Sequence, residues 1–130
     1  MKPFSVVFLL SCFLIPAVLF SQEEVKNDIR RALTGSDEKI LAEHLNATLD
    51  LTLPDSDNTV SKNHALQILR DFFKKDLPES YTHNHEGSSN DGSVYIIGTL
   101  KTKNSTYRSY FLIKKINGDY RIVQIQFVEQ

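Results

Sequence analysis

Hydrophobic residues recur at helical spacing where the polar part of the chain begins. Val25, Ile29 and Leu33 lie four residues apart, which predicts one buried face of an amphipathic helix. Gly35 is a natural residue to end this helix, because glycine tolerates the left-handed conformation that often follows a helix C-terminus. A second, shorter helix is predicted over residues 36–45, where Ser and Asp supply an N-terminal cap.

The period of the pattern then changes twice. Leu49, Leu51 and Leu53 alternate with polar residues, which predicts a half-buried strand. Residues 54–58 are rich in turn formers and predict a loop. A wide apolar stripe follows Ser61 and predicts a third helix, which is capped by this serine and stopped by a proline.

The remainder of the chain, from residue 80 onward, is predicted to form a sheet, because it is rich in Tyr, Ile, Val and Phe. Asn117-Gly118 is a strong signal for a two-residue hairpin turn, and Asn104-Ser105 is predicted to turn the hairpin before it. A polar strand and three longer strands are predicted at residues 80–86, 93–102, 106–116 and 119–128.

Both faces of this predicted meander are substantially apolar. With two-residue turns, one face carries Ile96, Leu100, Phe111, Ile113 and Ile122. The other carries Tyr95, Ile97, Tyr110, Leu112, Val123, Ile125 and Phe127. Helices can cover only one face, so two explanations stay open for the other. Either a second copy of the chain packs on it, or the first helix or a terminal segment wraps over it.

The first 21 residues have the composition of a signal peptide. Lys2 is followed by an almost wholly apolar run over residues 4–20 and by a small residue, Ser21. A permanent membrane anchor is the less favoured interpretation, since the apolar run is slightly short for a membrane-spanning helix and contains Pro16. A third interpretation is that Cys12 is the lipid-modified cysteine of a lipoprotein.

The predicted organisation is therefore a signal peptide over residues 1–21 and a single domain over residues 22–130. The mature protein is expected to be periplasmic or secreted, with no permanent membrane span. Cys12 is the only cysteine in the chain, so a mature domain that starts at Gln22 has no disulfide. Lys+Arg is 15 and Asp+Glu is 16, a formal net charge of -1, which argues against a nucleic-acid partner.

The order of elements and several short motifs resemble a known superfamily. Two segments are similar to the nuclear transport factor 2-like fold, also called the cystatin-like α+β cone. They are the break Gly35-Ser36-Asp37 between the first helices and the segment Leu49-Asp50-Leu51-Thr52-Leu53-Pro54 before a capped helix. The resemblance implies an α+β domain in which three N-terminal helices pack on a curved antiparallel sheet. It also implies a pocket between the concave face of the sheet and the helices.

More narrowly, the mature region resembles a family of exported proteins from Bacteroidetes-type bacteria to which no activity is assigned. The motifs that carry this resemblance are Leu51-Thr52-Leu53-Pro54, Ser61-Lys62, Ile68-Leu69-Arg70-Asp71-Phe72-Phe73, His85-Glu86-Gly87-Ser88-Ser89, Tyr95 with Ile97-Gly98-Thr99-Leu100, and Tyr107-Arg108 with Tyr110-Phe111. The wider superfamily contains isomerases, dehydratases, epoxide hydrolases and pure binding modules. The resemblance therefore implies a fold and a compartment but no chemistry.

A complete catalytic set is missing from the sequence. Asp50 is a candidate base for an isomerase-like site, with an exposed strand residue as the simpler explanation. His83 and His85 are predicted to share a strand face with Tyr81, where two imidazoles offer part of a metal site but lack a third ligand. No serine-nucleophile elbow, phosphate loop or dinucleotide fingerprint occurs. We therefore predict no cofactor and no metal, and the catalytic residues, if any, stay unknown.

Aromatic, cationic and amide residues of the sheet suit binding better than catalysis. Arg108 and Tyr110 are predicted to share a face with Tyr95, while Gln124 and Gln126 are predicted on the opposite face. The candidate ligand-binding residues are Tyr81, His83, His85, Tyr95, Arg108, Tyr110, Gln124 and Gln126.

The leading functional hypothesis is a non-enzymatic domain that binds a small molecule or a partner protein of the envelope, as a homodimer through an apolar sheet face. One alternative is a small-molecule isomerase or hydrolase with an acid/base site in the cone. Another is a structural component of the envelope.

Overall fold

The computed structural model describes residues 21–130. The predicted signal peptide, the alternative membrane anchor and the alternative lipoprotein site at Cys12 lie outside the described residues. Among residues 21–130, no helix is long and apolar enough to cross a membrane.

The domain is an α+β structure in which two helices lie on one face of a curved, mostly antiparallel sheet. We call this covered face the inner face and the opposite one the outer face. The helices are α1 (Gln22–Thr34) and α2 (Lys62–Lys75). The strands are β1 (Leu45–Leu53), β2 (Ser56–Ser61), β3 (Pro78–Ser88), β4 (Val94–Thr102), β5 (Thr106–Ile116) and β6 (Asp119–Glu129). Their order is β2-β1-β6-β5-β4-β3, and only β1 and β6 run parallel.

The prediction of three N-terminal helices is wrong at the second helix. A single 3₁₀ turn, Glu38–Leu41, stands where residues 36–45 were expected to form an α-helix. Asp37 caps this turn by accepting a hydrogen bond from the Lys39 backbone amide at 3.1 Å. The helix cannot continue, because the His44 carbonyl already accepts a bond of 2.7 Å from the Ile122 amide of β6. The chain has thus entered the sheet before a second α-helical turn can form.

The predicted loop over residues 54–58 is also wrong, since most of it belongs to the edge strand β2. This strand pairs with β1 through side chains as well as backbone. Thr52 donates to Asp57 at 3.0 Å, and Thr59 donates to Asp50 at 2.6 Å. Only Val60 of β2 is a buried apolar residue, so the strand has no hydrophobic alternation to reveal it in the sequence.

Both predicted hairpin turns exist, and one has the predicted position. Asn117 and Gly118 turn between β5 and β6 with φ values of 51° and 82°, which confirms the prediction. The turn between β4 and β5 comes one residue earlier than predicted, since the Thr102 amide bonds to the Ser105 carbonyl at 2.9 Å. The pairing therefore shifts by two residues, which leaves the side chains on their predicted faces.

A bulge in β6 changes which residues face the core. Leu112 of β5 pairs with Gln124, whereas the next residue, Ile113, pairs with Ile122, so Val123 is an extra residue in β6. Beyond the bulge every side chain of β6 changes face. The predicted placement of Ile125 and Phe127 on the second apolar face is therefore wrong, because both are buried in the core.

Aromatic rings fill the space between α2 and the sheet. Phe127 stacks on Phe72 with ring centroids 5.5 Å apart and meets Phe73 and Phe111 edge-on at 6.5 and 6.1 Å. Phe111 and Phe127 are each at most 1% exposed. The interior of the cone at this point is thus a packed hydrophobic core.

Candidate functional site

The outer face of the sheet brings together six of the eight candidate residues. They are His85, Tyr95, Arg108, Tyr110, Gln124 and Gln126. Strand pairing places five of them in two adjacent rows and Arg108 in a third row with Val128, because directly paired residues share a face. One row runs through Tyr95, Leu112, Gln124, Asp50 and Thr59, and the second through His85, Ile97, Tyr110, Gln126, Thr52 and Asp57.

The middle of this face is apolar and only half-buried. Tyr95 and Ile97 of β4 lie beside Leu112 and Tyr110 of β5, and all four side chains have intermediate exposure. Val128 extends the patch at its edge and is 52% exposed. We call these five residues the central patch. Half-exposed apolar side chains in the middle of a sheet are typical of a surface that another molecule covers.

Aromatic rings give the central patch a defined shape. The rings of Tyr95 and Tyr110 are nearly parallel, with an angle of 16° and centroids 6.5 Å apart. His85 extends the group toward β3, with its ring centroid 5.9 Å from that of Tyr95 and its Nε2 atom 3.5 Å from the Tyr95 hydroxyl. Such a rigid aromatic surface loses little conformational entropy when it is covered.

Gly87 makes room for the Tyr95 ring. A Cβ atom added at Gly87 would lie 2.2–2.6 Å from three atoms of the Tyr95 side chain, so the ring rests directly on the β3 backbone. No other residue type fits there while the ring keeps its position.

We expect Gly87→Ala to displace the Tyr95 ring while the domain stays folded. The clash is with the end of a side chain that can rotate, so the loss in unfolding free energy should stay within about 1 kcal/mol. Ring-proton chemical shifts of Tyr110 would change, since its stacking partner moves. The neighbouring Ser88→Ala is the control; equal shifts in both variants would contradict the assigned contact.

The two glutamines lie on the outer face, contrary to the prediction that placed them opposite Tyr95 and Tyr110. The β6 bulge causes the difference, since it turns Gln124 toward Leu112 and Gln126 toward Tyr110. Both side chains are half-buried. A small depression of about 210 Å³ lies on this part of the face and is lined by Arg108, Tyr110, Gln126 and Val128.

His83 and His85 do not share a face, because β3 also has a bulge. His83 pairs with Gly98 and His85 with Ile97, which leaves Asn84 as the extra residue. Asn84 accepts a hydrogen bond of 2.7 Å from the Thr99 hydroxyl. The pair therefore offers no common metal site. Among residues 21–130, no three His, Cys, Asp or Glu side chains are close enough to hold one metal ion.

His83 belongs to a charged group between β3 and α1. Its Nε2 atom lies 3.5 Å from the Glu86 carboxylate, which forms an ion pair of 2.8 Å with Lys26. The hydrogen bond with Lys26 is the main reason that the pKa of Glu86 is lowered and that of Lys26 is raised. These contacts attach α1 to the sheet and explain His83 without a ligand.

Tyr81 lies on the inner face with its ring against Gly98. Its hydroxyl is buried, and burial raises the pKa of the phenol, although the neighbouring Ser109 hydroxyl and Arg30 oppose this. Tyr81 is therefore a protonated core tyrosine and is separated by the sheet from the outer-face candidates.

Asp50 is exposed on the outer face, where it accepts the 2.6 Å hydrogen bond from Thr59. It does not point into the cone. The version of the enzyme hypothesis that uses Asp50 as a buried base is therefore wrong.

The sequence reasoning missed the most strongly bonded carboxylate of the domain. Asp76 follows α2 and is 8% exposed. One of its oxygens accepts bonds from the Thr102 hydroxyl at 2.5 Å and the Tyr107 hydroxyl at 2.9 Å. The other accepts bonds from the backbone and side-chain nitrogens of Asn104 at 3.0 and 3.1 Å. In the sequence, Asp76 only marked the end of a helix, and no local pattern indicated that it turns inward.

Burial alone would raise the pKa of Asp76, but the hydrogen bonds from Thr102, Asn104 and Tyr107 outweigh it, and the pKa lies below its usual value. Burial and the Asp76 charge raise the pKa of the Tyr107 phenol, against a smaller opposing contribution from Ser105. Asp76 is thus an ionised hydrogen-bond acceptor, and its geometry is that of a structural anchor.

A family model described as a domain of unknown function, DUF4783, matches residues 26–128. No curated protein matches the sequence. A DUF4783 family protein from Bacteroides uniformis has a crystal structure that is similar over 82% of this chain and 97% of its own, with a TM-score of 0.76 and 25% identity.

Two more distant structures show the same fold. An NTF2-like protein of unknown function from Cytophaga hutchinsonii covers 88% of this chain and 94% of its own, with a TM-score of 0.61 and 10% identity. A protein with a cystatin-like fold from Caulobacter vibrioides covers 83% of this chain and 86% of its own, with a TM-score of 0.66 and 10% identity. The nuclear transport factor 2-like, cystatin-like fold implied by the sequence is confirmed.

Proposed function

We propose that this chain, which belongs to the DUF4783 family, is an exported, non-catalytic protein-binding domain that pairs with a second copy of itself through the outer face of its sheet. The observation that carries this proposal is the central patch. Its aromatic and aliphatic side chains lie in the middle of the sheet and are half-exposed in the single chain. Covering them with a second copy removes that area from water, which is the main driving force for protein association.

A second copy is favoured because the outer face is complementary to itself. The half formed by β3, β4 and β5 carries rings and cations, including His85, Tyr95 and Arg108. The half formed by β6, β1 and β2 carries amides, hydroxyls and carboxylates, including Gln126 and Asp57. A symmetric dimer requires a surface of this kind, in which each half of a patch matches the other half.

A twofold axis parallel to the strands, between β5 and β6, would bring these halves together. Tyr110 would then face Gln126 of the second copy, and His85 would face Asp57. In the other row, Tyr95 would face Asp50 of the second copy. Rings and aliphatic side chains of one copy would then lie against amides, hydroxyls and carboxylates of the other, and hydrogen bonds between them would fix the register of the interface.

Two features support a binding role over a catalytic one. The part of the cone interior that lies against α2 is occupied by packed phenylalanine rings. The one carboxylate that the sequence offered as a base, Asp50, is exposed on the outer face. Neither feature favours a substrate that reacts inside the cone.

The proposal of export rests on the composition of residues 1–21. The expected cleavage point after Ser21 lies immediately before α1, so removal of the leader leaves every helix and strand intact. It removes two hydrogen bonds of 3.2 Å, one that the Ser21 hydroxyl accepts from the Glu24 amide and one that the Ser21 carbonyl accepts from the Val25 amide. The compartment of the mature protein can be tested directly by cell fractionation.

The oligomeric state of the mature protein, from Gln22 onward, tests the proposed interface. We expect sedimentation velocity to detect a dimer, and Leu112→Glu to produce a folded monomer, because it introduces a charge in the central patch. Leu77→Glu is the matched control, since Leu77 is 55% exposed but lies between α2 and β3, outside the central patch. A wild-type protein that stays monomeric at every concentration, or a Leu112→Glu variant that remains dimeric, would refute the interface.

A further inference from the structure

A cleft with an apolar floor lies at one end of the cone, away from the outer face. It opens between the second half of α2, the β1–β2 hairpin and the adjoining ends of β5 and β6, and its volume is about 420 Å³. This volume lies within the range of small-molecule sites, roughly 300 to 1,000 Å³. We call it the mouth cleft.

Four buried or half-buried side chains form the floor of the mouth cleft. They are Leu53 of β1, Ile68 and Phe72 of α2, and Tyr107 of β5. The rings of Phe72 and Tyr107 meet edge-on with centroids 5.3 Å apart, and Phe72 is held from behind by Phe127. The hydrogen bond to Asp76 holds the Tyr107 ring in place. The two rings of this apolar floor are therefore held in fixed positions.

The charges around this floor are predominantly negative. Asp55, Asp71, Asp76 and Glu129 line the cleft together with one cation, Lys75, so four carboxylates face one ammonium group and the formal charge is -3. Asp76 is held in its ionised form by its hydrogen bonds. An anionic ligand would be repelled from this cleft, whereas a cation would be attracted to it.

We infer that the mouth cleft binds a small organic cation with an apolar body, of the quaternary ammonium or alkylamine class. The aromatic floor provides cation–π and apolar contacts, which are the contacts by which proteins recognise quaternary ammonium groups. Asp55, Asp71 and Glu129 are exposed, Asp76 is buried, and the four carboxylates do not converge on one point: among residues 21–130 no three such groups can share a metal ion. Distributed charge over an apolar floor suits an extended organic cation better than a bare metal ion.

A titration with choline tests this inference, with 3,3-dimethylbutan-1-ol as the neutral ligand of the same shape. We expect choline to shift the backbone amide resonances of Phe72 and Tyr107 in the ¹⁵N-labelled mature protein, with saturation. The affinity for choline should be at least about tenfold higher than that for the neutral alcohol, and it should fall as salt is added. Equal affinity for both, or no saturable shift with either, would overturn the inference.

Three variants locate the binding. Asp71→Asn removes an exposed rim charge and should weaken choline binding about threefold, as expected for a screened charge near the ligand. Phe72→Leu keeps an apolar side chain but removes the ring, and should weaken binding about threefold through the lost cation–π contact. Glu79→Gln is the matched control on β3, outside the cleft, and should bind choline like the wild type.

The mouth cleft and the outer face are different surfaces. The inference about ligand binding can therefore be refuted without affecting the proposed dimer, and the reverse also holds. The monomeric Leu112→Glu variant should bind choline with unchanged affinity. If Asp71→Asn and Phe72→Leu both bind like the wild type while choline still shifts resonances elsewhere, the assignment of the ligand to the mouth cleft is wrong.

Discussion

Replacing Asp76 with alanine is expected to reduce the free energy of unfolding by about 3 to 5 kcal/mol. The substitution removes an ionised acceptor of four hydrogen bonds from Thr102, Asn104 and Tyr107, of which, among residues 21–130, only the Thr102 hydroxyl has a second acceptor, the Ser105 carbonyl at 3.0 Å. Hydrogen bonds to charged groups contribute about 1.5 to 3 kcal/mol each, and bonds that share one acceptor are not additive. Urea denaturation of the mature protein measures the loss; a reduction below about 1 kcal/mol would contradict the assigned role.

Asp76→Asn separates the charge from the shape of this side chain. The folded-state pKa of Asp76 is lowered, so its charge contributes stability above the unfolded-state pKa of about 3.9, and this contribution is lost as the pH falls through the folded-state pKa. The wild type should therefore be more stable than Asp76→Asn at pH 7, and the difference should shrink below about pH 4. Asp55→Asn, which changes an exposed acid of the same cleft, should show no comparable difference at pH 7.

The sequence predicted those elements whose residues repeat regularly. The buried positions of α1 follow from the four-residue spacing of Val25, Ile29 and Leu33, all of which lie in the core. The turn at Asn117 and Gly118 follows from the positive φ that both positions require. In these cases a local conformational preference and the tertiary structure favour the same conformation.

Two bulges limited what could be predicted of the candidate site. Each bulge inserts one residue, Asn84 in β3 and Val123 in β6, and so reverses the faces of all later residues in its strand. Strict alternation therefore placed Gln124 and Gln126 on the wrong face and His83 beside His85. The sequence contains no proline or glycine at either bulge, so neither position could be recognised from composition.

The bulge in β6 also decides how polar the outer face is. Without it, Ile125 and Phe127 would add to the apolar area of the outer face, and two glutamines would be buried in the core without evident partners. With it, the core receives the large apolar groups and the outer face receives the amides. The apolar patch that remains on the outer face is smaller and has polar neighbours, which suits an interface between folded chains.

Phe127→Ala is expected to reduce the free energy of unfolding by about 3 to 5 kcal/mol. Phe127 is 1% exposed and contacts the rings of Phe72, Phe73 and Phe111, so its removal leaves a cavity in the packed interior. Val128→Ala is the matched control, because the adjacent side chain is 52% exposed on the outer face and its truncation should cost at most about 0.5 kcal/mol in the monomer. Urea denaturation in the Leu112→Glu background measures both effects without a contribution from dimerisation.

Phe127→Ala also tests whether the interior of the cone is closed to ligands. An apolar cavity created by truncating a core side chain can bind benzene-sized molecules, and a ligand that binds only the folded state raises the melting temperature. Benzene should therefore stabilise Phe127→Ala and leave the wild type unchanged. If benzene stabilised the wild type equally, the interior would already contain an accessible cavity, and the argument from a filled cone to a non-catalytic domain would lose its basis. If it stabilised only Phe127→Ala, the interior of the natural domain is occupied by its own side chains, and binding must occur at its surfaces.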